Sequence, residues 1–225
     1  MKRHLVSVLA LGLVGAALSG AHPGAPITAA PQRAITVCAE GCEHTRIQAA
    51  IDAASFGDTI LVGAGLYVEN LVVRKSLTLR GLDRSTSIVD GGGVGSVLFV
   101  DAGTAVTLAS LTLRGGSAET GSAILNLGAV TVRDCDITGN RSLVASSFGG
   151  ALFNYGGTVL IEDSALRGNE ASYGGAIFNT GEVRIYTSRL EDNIGRLGGG
   201  AIYNRTGYTL LNAAHVSGNR VSTSG

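Results

Sequence analysis

Side chains capable of chemistry gather most densely at Arg133-Asp134-Cys135-Asp136, and again one repeat later at Glu162-Asp163. Arginine among carboxylates can pair with them, and several Asp or Glu oxygens brought together could hold a Ca²⁺ ion. Glycosidic hydrolysis asks for something else, two carboxyl groups converging on one leaving oxygen and one water. Glu162-Asp163 and Glu191-Asp192 are adjacent pairs, but neighbours in a strand point to opposite faces and do not converge. Cys38 and Cys42 enclose Ala-Glu-Gly and would close a small disulfide loop, whereas a metal site there would need more ligands than His44. Cys135 stands alone and reads as a small buried side chain with an inert thiol.

What must position these residues is a repeat. The phrases Gly149-Gly150-Ala151-Leu152-Phe153-Asn154, Gly174-Gly175-Ala176-Ile177-Phe178-Asn179 and Gly199-Gly200-Ala201-Ile202-Tyr203-Asn204 are near-copies, with a weaker copy beginning at Gly121. Self-similarity at such a period signals stacked structural units. Within a unit the apolar residues fall in steps of 2, 3, 2 and 3: Val130, Val132, Cys135, Ile137, Asn140, then Val159, Ile161, Ser164, Leu166, Asn169. Val183, Ile185, Ser188, Leu190, Asn193 and Thr209, Leu211, Ala214, Val216, Asn219 follow the same beat. A step of 2 keeps both side chains on one face of a strand, and a step of 3 marks a corner. Helical steps of 3 and 4 throughout are absent. Gly-Gly and Gly-Asn would supply the positive φ of the corners.

These coils predict an all-β parallel β-helix, with each strand paired to the coils before and after it, about seven coils in all. Like side chains then stack. Asn126, Asn154, Asn179 and Asn204 form one ladder, and Asn140, Asn169, Asn193 and Asn219 another. Each amide offers both donor and acceptor to the next, so all eight read as structural. The same alignment places Arg133, Glu162, Tyr186 and Asn212 in one outward row and Asp134 with Asp163 in the next. That makes Arg133, Asp134, Glu162, Asp163 and Tyr186 the candidate binding residues. The bland alternative is a solvated face whose charges pair from coil to coil.

The ends of the chain are distinct. Residues 1–21 read as a signal peptide, with Lys2-Arg3-His4, an apolar run from Leu5 to Leu18, and small residues at Ser19-Gly20-Ala21. The run is shorter than the roughly 20 residues of a membrane span. Residues 22–34, with three prolines, read as a linker, residues 35–57 as an N-terminal cap, and 58–225 as the β-helix. The cap would hold one helix over Thr45–Ala54, opened by the capping box Thr45-Arg46-Ile47-Gln48 and ended by Gly57. It would cover the open core and block edge pairing. Only six residues follow Asn219, so further chain or a partner is expected to cover that end. A net charge of zero removes the electrostatic case for nucleic acid.

Two resemblances follow from these residues. Ile47-Gln48-Ala49-Ala50-Ile51, Gly57-Asp58-Thr59-Ile60, Gly65-x-Tyr67-x-Glu69, Ser76-Leu77-Thr78-Leu79-x-Gly81 and Ile88-x-Asp90-Gly91 resemble the opening of the pectin-lyase-like β-helix superfamily. That resemblance implies a right-handed parallel β-helix; the superfamily holds lyases, hydrolases, esterases and non-enzymes, so it does not imply one activity. The Gly-Gly phrases, with Ile137, Leu166, Leu190 or Val216 three residues before an Asn, are similar to the polymorphic outer-membrane protein repeats of bacterial surface adhesins. There a Phe stands where this chain has an aliphatic residue.

The superfamily's enzymes give tests. A methylesterase of this fold would need catalytic Gln on central coils and an Arg-Pro-Trp phrase; Gln occurs only at 32 and 48, and Trp is absent. A polygalacturonase would need Asn-Thr-Asp, Asp-Asp and Gly-His-Gly; the chain has Asn179-Thr180-Gly181, no Asp-Asp, and His215 without flanking glycines. The reading is therefore an exported, non-catalytic scaffold of adhesin or glycan-binding type with no cofactor, secreted or at the cell surface. Its partner would be an extracellular glycan or surface protein. The alternatives are a Ca²⁺-dependent polysaccharide lyase, ahead of a hydrolase, and a purely structural stalk. Arg141–Phe148, the longest insert between an Asn corner and a Gly-Gly, reads either as part of a binding face or as tolerated slack.

Overall fold

The 2-3-2-3 beat sets the cross-section of the molecule. The structure, a computed structural model, describes residues 32–222; the expected signal peptide and most of the linker lie outside the described residues. Val130 and Val132 point inward from strand Ala129–Arg133, Ile137 from strand Asp136–Thr138, and Cys135 and Asn140 fill the corners that follow each strand pair. All five are buried. Each coil passes through three sheets in turn. The first runs from Ala34–Val37 to Tyr208–Asn212 and holds eight strands, one more than the coils expected. The second runs from Gly65–Val68 to His215–Ser217 with seven, and the third from Leu71–Val73 to Ile202–Asn204 with six. A fourth, of Glu170–Tyr173, Ile194–Gly198 and Arg220–Val221, forms where the later inserts extend.

Every strand pair in these four sheets is parallel, and like stacks on like. Val130 pairs with Val159 and Val159 with Val183, all inside. Neither amide column is broken. Asn126 Nδ2 donates to Asn154 Oδ1 at 2.8 Å, Asn154 to Asn179 at 2.9 Å and Asn179 to Asn204 at 2.8 Å. Asn140, Asn169, Asn193 and Asn219 repeat this at 2.8–3.0 Å, and the oxygens of Asn169, Asn193 and Asn219 also accept the backbone N–H of the Asn one coil earlier. Buried amides are costly unless satisfied, so the ladder turns a liability into register.

One set of corners departs from the sequence reading. Gly139, Gly168 and Gly218 take positive φ as expected, but from the third coil onward the corner between the first and second sheets has no glycine. Ser110, Asp134, Asp163, Thr187 and Ala213 occupy it with φ of 46–52°. That conformation costs roughly 1–2 kcal/mol for a residue with a Cβ. Coil-to-coil bonds hold it, including Asp134 N–H to the Glu162 carbonyl at 3.2 Å and Asp163 N–H to the Tyr186 carbonyl at 3.3 Å.

The N-terminal end also differs in detail. Ala34, assigned to the linker, already opens the first strand. The helix spans Ile47–Ala53, not Thr45–Ala54, and the capping box does not form. Glu69 caps it instead: Oε1 accepts from Ile47 N at 2.8 Å and Oε2 from Gln48 N at 3.1 Å. This frees Gln48 to seal the edge of the third sheet. Its Oε1 accepts from Val72 N at 2.8 Å and its Nε2 donates to the Val72 carbonyl at 3.2 Å, just as a neighbouring strand would. Tyr67 turns its ring onto Gly65 and donates to the Gly63 carbonyl at 3.1 Å. The Gly-x-Tyr-x-Glu phrase thus builds the lid of the barrel. No helix among the described residues is long and apolar enough to cross a membrane.

Candidate functional site

The outward charged row exists. Arg133, Glu162, Tyr186 and Asn212 are register partners on successive coils of the first sheet, and Asp134 and Asp163 follow them at the glycine-free corner. The row does not converge on a single centre. The Arg133 guanidinium pairs with Glu162, its neighbour in the same outward row, as the reading of charges pairing from coil to coil expects. Asp136 takes Arg167 at 2.7 Å. Asp134 accepts from Ser110 Oγ at 2.8 Å and meets Arg84 at 3.3 Å. Asp163 accepts from Thr187 Oγ1 at 2.6 Å. Tyr186 stays half-buried beside them.

Arg84 was not legible from the repeat. It sits in a turn preceding the regular coils and reaches over the corner, donating also to the Asp163 carbonyl at 3.4 Å. With Asp136, Asp163, Arg167, Thr187 and Arg189 it lines a cleft of about 260 Å³. Arg84 lies 79 residues from Asp163 along the chain, which is why single-coil reasoning missed the contact. Among the described residues no three His, Cys, Asp or Glu side chains come together as a metal-binding group.

The cysteines divide as their spacing suggests. Cys38 and Cys42 are joined as a disulfide with Cα atoms 5.5 Å apart. The loop they close lays His44 along the first strand, with Cys38 N–H bonded to the His44 carbonyl at 3.1 Å. Cys135 is wholly buried, and desolvation pushes its thiol up to about 12. Below it Ser164 and Ser188 do more than fill space. Cys135 N–H donates to Ser164 Oγ at 3.0 Å, and Ser164 N–H to Ser188 Oγ at 3.1 Å.

A second outward face carries rings. Phe153, Phe178 and Tyr203 share one register position in the third sheet. Phe148 and Tyr173 form a parallel column beside them, each just before a Gly-Gly. With Tyr155 these are six of the chain's eleven aromatic residues, so the rings are concentrated on three coils, not scattered. The signal was present as Phe153, Phe178 and Tyr203 at one position of the Gly-Gly phrase, but only the stacking shows that the rings meet.

No family model matches the chain, and no curated protein matches its sequence. Solved structures do. Pectin methylesterase from carrot aligns with a TM-score of 0.57 over 87% of this chain and 86% of that one, at 14% identity. Pectin methylesterase from Aspergillus niger aligns with a TM-score of 0.52 over 87% and 89%, also at 14% identity. The fold is a right-handed parallel β-helix. At that identity the likeness reaches the backbone and stops there.

Proposed function

We propose that this chain is an exported, non-catalytic β-helix scaffold that binds carbohydrate, of the surface-adhesin or glycan-binding type. One observation carries the reading. The acids and the base best placed for chemistry are consumed in ion pairs and hydroxyl contacts from coil to coil, with Arg133 on Glu162, Arg167 on Asp136 and Thr187 on Asp163. What the barrel leaves open is side-chain surface, regularly spaced along its length. Neighbours of this fold act on pectin, which supports a polysaccharide as the ligand class. The Cys38–Cys42 bridge and the expected signal peptide support an oxidising, extracytoplasmic setting.

Affinity electrophoresis of the full chain through gels containing neutral and acidic polysaccharides tests the proposal. Retardation without turnover is expected. Parallel incubations with polygalacturonate and Ca²⁺, followed by absorbance of unsaturated products, and with methylated pectin, followed by methanol release, should stay flat. A product signal abolished by Arg133→Ala would replace the binding scaffold with a lyase.

A further inference from the structure

We propose that the two aromatic columns form a groove that holds an anionic polysaccharide chain lengthwise, with Arg205 reading its charge. This rests on the carbohydrate-binding reading above and assigns it a place. In the third sheet, ring centroids lie 5.1 Å apart from Phe153 to Phe178 and 5.3 Å from Phe178 to Tyr203. Across the groove Phe148 stacks on Tyr173 at 5.7 Å. The columns touch diagonally, Phe148 on Phe178 at 4.9 Å and Tyr173 on Tyr203 at 5.2 Å. Phe178 is thereby only 3% exposed and forms the floor. Tyr173 pairs next with Gly198, where an added Cβ would come within 3.1 Å of the Tyr203 ring. The missing side chain leaves an opening. The resulting groove, about 370 Å³, is lined by Ser146, Phe148, Tyr173, Phe178, Tyr203 and Arg205.

Three features point to an anionic sugar chain. Among the described residues the hydroxyls of Tyr155, Tyr173 and Tyr203 have no hydrogen-bond partner in the protein, and Arg205 has no ion pair. No carboxylate lines the groove, so its cation is uncompensated. A pyranose unit offers the complement: a flat C–H face for a ring, hydroxyls for tyrosine, and, when oxidised or sulfated, an anion for a guanidinium. Rings recur once per coil, at about 4.8 Å, close to the length of one sugar unit in an extended chain. The occupant therefore runs along the barrel axis. An extended peptide fits less well, because the strands of the third sheet beneath are already paired on successive coils and leave no backbone to augment.

The groove is built in advance. Arg196 pins the long insert that delivers Ser146 and Phe148: its Nη2 donates to the carbonyls of Ser142 and Val144 at 2.9 and 2.6 Å and to Ser147 Oγ at 3.1 Å. Its Nη1 reaches the Leu143 carbonyl at 3.3 Å. A loop ordered before binding costs the ligand less on arrival.

Isothermal titration of the full chain with alginate, carrageenan and neutral xylan tests the assignment. Alginate supplies carboxylates and carrageenan sulfates, so the preferred one identifies the anion. Removing one stacking ring should weaken binding by about tenfold in Tyr203→Ala or Tyr173→Ala. Arg205→Ala should abolish the preference over xylan, and Arg205→Lys should restore part of it. Circular dichroism melts identify any variant that fails to fold, and Tyr203→Phe, which keeps the ring, should retain most affinity. Binding by the wild type that survives both tyrosine truncations and Arg205→Ala would overturn the groove while leaving the scaffold reading intact. Equal affinity for xylan and both anionic chains would overturn the role of Arg205. No binding to any polysaccharide would remove both proposals together.

Discussion

Asp58 shows what a single carboxylate does in this fold. It is almost fully buried at the start of the first sheet, accepting from Arg33 N–H at 2.9 Å and Ser55 N–H at 2.8 Å. The Arg33 N–H bond, then the one from Ser55, holds its carboxyl below the ordinary value of 3.8. A depressed acid stabilises the fold above its unfolded value, and that contribution is lost as pH falls through the lowered folded value. Thermal melts between pH 7 and pH 2 should show the midpoint dropping at the acid end. In Asp58→Asn the drop should flatten, and the midpoint at pH 7 should fall because Asn offers one acceptor where two are used. An unchanged acid limb in the variant would take Asp58 out of this account. The sequence marked Asp58 as part of a phrase typical of the fold, but its two partners, 25 and 3 residues away, are visible only in three dimensions.

Among the elements, the N-terminal helix is the one that most needs outside help. At seven residues it is too short to stand alone, its own N-cap residue Arg46 makes no side-chain bond, and Glu69 supplies the cap from the next coil. Glu69→Ala would leave two N–H groups without acceptors, each costing about 1–3 kcal/mol if buried. Hydrogen exchange at Ile47 and Gln48 should quicken before exchange in the central strands does. Loss of the helix also removes Gln48 from Val72 and opens the edge of the third sheet, so the variant should associate at lower concentration than the parent. The capping box in the sequence was a reasonable local signal that lost to a tertiary one. Glu69 lies 22 residues from Ile47, beyond any window that reads helix ends from neighbours.

The whole molecule behaves as a stack whose members share one interior. Ile161 and Leu211 hold the same ladder position two coils apart, joined through Ile185. Ile161 is fully buried, while Leu211, on the last described coil, is 43% exposed. Ile161→Ala should therefore cost about 2–5 kcal/mol, read as a lower denaturant midpoint. Leu211→Ala should cost under about 1 kcal/mol. Equal losses would mean that the position in the stack does not govern burial. The sequence alone determined the inward beat, the two amide ladders and the parallel stacking, because a step of 2 or 3 along a strand is local geometry, and repetition copies it from coil to coil. It also named the charged residues that would face outward. Only the tertiary structure decided which of them meet. Charge pairing and ring contact depend on side chains one coil or more apart, and on Arg84 and Arg196 reaching 79 and up to 54 residues along the chain. That is why the acids and Arg133 resolve into spent pairs, and why the open groove lies among rings the repeat had presented only as part of its phrase.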